Sequence, residues 1–137
     1  MLLQSGECRR LFILRLNSGE DILQSIRAGV EKAGIRHGLI LAGVGSISRY
    51  HVHVVQTANL PPGDIFFRGE GAFDVLSITG LILDGRVHAH ITISNTEKAM
   101  GGHLEEGCTT LTFGIVIMAE TEGVDLSDWD RMGQISY

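Results

Sequence analysis

The residues of this chain best equipped for chemistry are three histidines, His88, His90 and His103. His88 and His90 are separated by one alanine, and alternate residues of a β-strand point the same way with Cα atoms about 6.5–7 Å apart. At that distance two imidazole nitrogens can converge on one divalent ion, zinc being the first candidate. His103 follows Gly101-Gly102, a pair that permits unusual backbone angles and could deliver a third ligand. Three neutral imidazoles would leave a fourth coordination position for water or substrate. Glu105 or Glu106 could accept a hydrogen bond from a ligating ring, or act as a base toward metal-bound water. The same residues also fit two solvent-facing strand histidines, a loop histidine and a solvated acidic turn. The spacing permits a metal site without requiring one.

A second His-x-His pair, His51 and His53, stays off the ligand set, because only the distant His37 accompanies it and Arg49 shares its face. It suits a polar sheet surface or a subunit contact, with Tyr50 packing on the opposite face. Cys108 fits a small buried residue entering a strand better than a soft ligand. Gly43, Gly45 and Ser46 look superficially like a phosphate loop but lack its lysine and following helix.

These side chains need a framework. Arg10 to Leu16 reads as a strand closed by the turn cluster Asn17-Ser18-Gly19. Ser18 precedes Asp21 by three residues in a variant capping pattern, and Ile22, Ile26, Val30 and Ala33 recur at helical spacing, predicting a helix from about Glu20 to Ala33. Gly38 to Val44 is apolar throughout, as in a covered strand, and SRYHVHVVQ alternates as a further strand. The cluster around Asn59 to Asp64 is a loop, and Phe66-Phe67 opens a short stretch. From Ala72 to Ser94 two strands meet at Asp84-Gly85, which suits a type I′ turn and sets His88 opposite Leu81 and His90 opposite Thr79. A helical turn is expected around Thr96 to Met100, ending at the glycine pair, and a last strand over Thr109 to Glu120. Trp129 and Tyr137 fall in a polar tail of poor periodicity with no assigned role.

A length of 137 residues suits one domain, with a core of about residues 10–121 and a tail of 122–137. Eighteen glycines are about twice ordinary usage, yet two prolines and 44% apolar residues exclude low complexity. Net charge is −5, which offers phosphate backbones and anionic membranes no long-range attraction. Cys8 and Cys108 match no paired-cysteine spacing and suit a reducing compartment. There is no apolar run of a signal peptide or membrane span, so a soluble, cytoplasmic protein is expected.

The segments GEDI (19–22), GVGSISRYHVHVV (43–55), HAHITIS (88–94) and GGHLEEGC (101–108) together resemble the PPC domain family, also called DUF296. The resemblance covers about residues 10–121 and implies an α/β fold of the α+β type, with a mostly antiparallel sheet under helical cover. It further implies a homotrimer, and a metal unit on His88, His90 and His103. In plants this domain accompanies AT-hook segments in nuclear DNA-binding proteins and serves protein contacts, whereas prokaryotic members are commonly the domain alone. Here no Arg-Gly-Arg-Pro hook core is present, so minor-groove readout has no residues to carry it. Three functions follow in order. The first is a metal-organised regulatory or protein-interaction module, with a protein partner. The second is a metal-dependent enzyme activating water, and the third is direct DNA binding.

Overall fold

The computed structural model describes residues 1–135; Tyr137, named above, lies outside them. The chain runs β1 (Glu7–Asn17), α1 (Ile22–Ala33), β2 (His37–Val55), β3 (Asp64–Leu83), β4 (Arg86–Ser94), β5 (Ala99–Leu104) and β6 (Thr109–Glu122). The strands form one sheet in the order β1-β6-β2-β3-β4-β5, and β5 also pairs with β2. All pairings are antiparallel. Strands β2 to β5 therefore curl round until β5 closes against β2.

Two expected short strands before the Asn59 loop are one strand of 19 residues, and the short stretches after it merge into β3. Register shifts between Ile40 and Ala42, Gly45 and Ile47, and Ile47 and Arg49 bend β2, so that its first half pairs with β6 and its end with β5. Bulges of this kind increase local twist and let a strand serve two neighbours.

Helix α1 lies where its periodicity placed it, and Ile22, Leu23, Ile26 and Val30 are buried, each removal from water contributing about 1.5–3 kcal/mol before the entropy of ordering is charged. Its cap is Asp21, not the Ser18 pattern. The Asp21 carboxylate accepts from the Gln24 amide at 2.9 Å and from the Gly107 amide at 2.6 Å, so one side chain starts the helix and ties it to the β5–β6 turn. Among the described residues this is the one helix, so the expected helical cover is reduced to a single element on one sheet face. The core fills the space between, with Ile26, Ile47, Ile78, Ile91 and Met118 each at most 2% exposed.

Among the described residues no helix covers the opposite face. Pairing of Leu11 with Ala119, Ile13 with Ile117, Leu39 with Ala119 and with Leu81, and Leu81 with His88 puts these residues on one side of the sheet. Leu11, Ile13 and Val44 are 63%, 69% and 51% exposed there.

The two cysteines differ in kind. Burial pushes the Cys108 thiol up to about 11, whereas Cys8 is exposed. A thiolate-directed reagent should modify Cys8 in the native protein and reach Cys108 only in denaturant, read as one and then two labels per chain. Two labels without denaturant would contradict this packing.

Candidate metal centre

The hairpin that carries the first two histidines is built as its sequence requires. Asp84 and Gly85 take φ values of 51° and 79°, the left-handed pair of a type I′ turn. The register then sets Leu81 against His88 and Thr79 against His90. Ala89, Ile91 and Ile93 point into the core, which turns the imidazoles outward to the helix-free face.

The third histidine arrives by a different route from the one expected. No helical turn spans Thr96 to Met100; residues 95–98 form a tight connection in which the Asn95 side chain accepts from the Glu97 and Lys98 amides, and Gly101-Gly102 lie within β5. A Cβ on Gly101 would sit 2.2 Å from the Ile91 carbonyl oxygen, and one on Gly102 would sit 2.6 Å from that of His53. The glycines let β5 wedge between β4 and β2 rather than turn the chain. His103 consequently pairs with His90 on one side and with His53 on the other.

The ligand atoms of His88, His90 and His103 lie within 4.8 Å of one another. Ring centroids are 5.4 Å apart for His88 and His90, 4.6 Å for His88 and His103, and 5.7 Å for His90 and His103. Small ring rotations would close this spread to the ~3.4 Å edge of a tetrahedron with Zn–N bonds of about 2.0–2.1 Å. His88 and His103 are half-buried and His90 is exposed, so one side of the cluster faces solvent.

Electrostatics prepares the rings for a cation. Burial, then the neighbouring His88 and His53, lowers the His103 pKa to about 4, and burial followed by the same neighbours lowers that of His90. Neutral imidazoles with free lone pairs are what a divalent ion binds. The metal-free protein should therefore lose stability in acid. The unfolded His103 takes up a proton below about 6.5 and the folded one only near 4, so the unfolded state binds more protons in that window. His103 alone should remove up to roughly 3 kcal/mol between those limits, and in His103→Gln that contribution to the pH slope should vanish. Chemical denaturation of the metal-free proteins from pH 7 to 4.5 measures it.

His53 is nearer the cluster than its spacing implied. It stacks on His103 at 4.3 Å between centroids and hydrogen-bonds through Nδ1 to Glu105 at 2.7 Å, and His53, His103 and Glu105 form a second convergent group. His51 remains apart: its Nδ1 donates to the Glu106 carbonyl at 2.6 Å and its Nε2 accepts from Arg68 at 3.3 Å. Of the two acidic candidates, Glu106 is paired with Arg27 at 2.5 Å, whereas Glu105 converges with His53 and His103. Asp130, in the segment after β6, contacts His88 Nδ1 at 3.2 Å. Asp130 leaves no trace in the sequence periodicity, and the β2–β5 pairing that brings in His53 depends on β5 being a strand, which its glycine pair masks. Gly43 and Gly45 lie inside β2 with no helix after them, so a phosphate loop is excluded.

Comparison with known proteins places this architecture. The model of the Plants and Prokaryotes Conserved (PCC) domain matches residues 3–122. The bifunctional protein GlmU of a Synechococcus strain is 25% identical over 113 residues, which are 82% of this chain but 17% of that protein, so the chain spans about a sixth of its curated relative. A metal-containing protein of Archaeoglobus fulgidus superposes with a TM-score of 0.78 at 20% identity, over 91% of this chain and 89% of its own. A plant- and prokaryote-conserved protein of Pyrococcus horikoshii superposes with a TM-score of 0.76 at 25% identity, over 91% and 87%. On the family match across most of its length, the chain belongs to the Plants and Prokaryotes Conserved domain family.

Proposed function

We propose that this chain is a metal-organised assembly module, in which His88, His90 and His103 hold one divalent ion, zinc by preference, and copies associate as a trimer through the helix-free sheet face. The observation that carries the reading is the convergence of three imidazoles from two paired strands within 4.8 Å, two of them with lowered pKa. Such a donor set suits zinc, which accepts imidazole nitrogen in a tetrahedral site. The similar Archaeoglobus protein is itself metal-containing. That the matching region is 17% of a longer bifunctional relative fits a module that travels with other domains. The bare face leaves Leu11, Ile13 and Val44 exposed side by side, apolar surface of the kind that subunit contacts cover, and it adjoins His88 through Leu81. A regulatory or protein partner would be recognised on the assembled surface.

The metal content of untagged wild type and of a His88→Ala, His90→Ala, His103→Ala variant, with the mass of each in solution, tests both halves of the reading. Metal absent from a wild type that cannot be loaded would refute the site.

One observation supports a catalytic alternative: the His53–Glu105 pair stands beside His103, and the cluster is open at His90. A divalent ion there would supply Lewis acidity toward bound water. Glu105 would accept the proton, with His53 fixing its carboxylate. Turnover abolished by chelation while the fold persists distinguishes this enzyme from the module, which has a partner and no turnover. Among the described residues no helix is long and apolar enough to cross a membrane.

A further inference from the structure

His88 is held from outside the histidine cluster. Its Nδ1 lies 3.2 Å from Asp130, whose two carboxylate oxygens each accept from the Arg86 guanidinium at 3.0 Å. Arg86 also donates to the Ser127 carbonyl at 3.0 Å. The Asp130 side chain is 13% exposed, so the contact is sheltered. Asp130 belongs to the segment after β6, beyond the residues 3–122 that match the family. That segment is anchored by Leu126, 8% exposed, whose amide approaches His37 Nδ1 at 3.4 Å.

We propose that Asp130, which lies outside the residues matched by the family, is a positioning residue for the metal centre, and that it couples metal binding to docking of the segment 124–131. The proposal rests on the reading of His88 as a metal ligand. A carboxylate accepts, so His88 Nδ1 carries the hydrogen and donates, which leaves the lone pair on Nε2, the nitrogen an ion can use. The same bond fixes the ring's rotation and makes it a stronger donor to a cation. Arg86, gripping both oxygens, prevents Asp130 from swinging away. The coupling runs in both directions: a docked segment tightens metal binding, and bound metal tightens docking by the same factor.

The test uses the full chain and zinc ion alone, titrated against a competing chelator, together with trypsin cleavage after Arg131, which is exposed. Wild type should bind about one zinc per chain. Asp130→Asn, which keeps the size of the side chain, should bind the same amount about 10–100-fold more weakly. Leu126→Ala, which loosens the anchor without touching His88, should weaken binding in the same direction. Zinc should slow cleavage after Arg131 in wild type and leave it unchanged in Asp130→Asn. Unaltered affinity in Asp130→Asn, or cleavage of wild type indifferent to zinc, overturns the coupling while the three-histidine site stands. A wild type that takes up no zinc overturns both.

Discussion

Replacing His88, His90 and His103 by alanine together should reduce bound metal from about one ion per chain to background while leaving the fold intact. The fold should survive because the three rings lie on the face away from the core, and the residues that alternate with His88 and His90, namely Ala89 and Ile91, stay buried at 1% exposure. The loss should also appear in thermal stability. A ligand present at a hundred times its dissociation constant stabilises the native state by about 2.7 kcal/mol, which raises the Tm of a domain this size by several degrees. Zinc should produce that rise in wild type and none in the triple variant. Among single variants His103→Ala should lose most, since His103 alone pairs across both neighbouring strands, with His90 and with His53. Equal metal content in wild type and triple variant, by elemental mass spectrometry, would end the three-histidine assignment.

Charges on the bare sheet face should have an effect as large on assembly. Ile13 and Val44 are 69% and 51% exposed in the single chain and stand on the same face as Ile117 and Ile115, their respective partners in β6. Burying a carboxylate there without a partner costs several kcal/mol per protomer, enough to shift the association constant by orders of magnitude. Ile13→Asp combined with Val44→Asp should sediment as the 14.9 kDa chain, whereas wild type should sediment at three times that mass. Circular dichroism should be unchanged, because both side chains are solvent-facing in the single chain. A monomeric wild type would remove the trimer from the proposal; a double variant that stays assembled would move the interface elsewhere.

The contrast between Gly101-Gly102 and Asp84-Gly85 shows what kind of information a sequence holds. At Asp84-Gly85 the glycine answers a local demand, the backbone angles of a two-residue turn, so position and register could both be read in advance. At Gly101-Gly102 it answers a distant one, the carbonyls of Ile91 and His53 pressed against β5. The same residue type in the same kind of polar surrounding therefore suggests, by local rules, the end of a helical turn. Because β5 carries no local strand signal, the β2–β5 pairing is hidden in the sequence, and with it the place of His53 beside His103.

Local rules determined a good deal here from the sequence alone. The period of two in β4 put His88 and His90 on one face, the period of 3.6 in α1 named its buried stripe, the turn residues set the β3–β4 register, and the combined motifs pointed to the family. Tertiary structure decided the rest: that three imidazoles converge, that Glu106 is paired with Arg27 while Glu105 serves His53, that Asp21 caps the helix, and that Asp130 reaches His88 from 42 residues away. The physical reason is range. Backbone angles and side-chain alternation act over a few residues and leave a periodic trace, whereas a contact between β5 and β2, or between Asp130 and His88, depends on the bulges that curl the sheet and on a segment laid across it, and neither leaves a repeat to read.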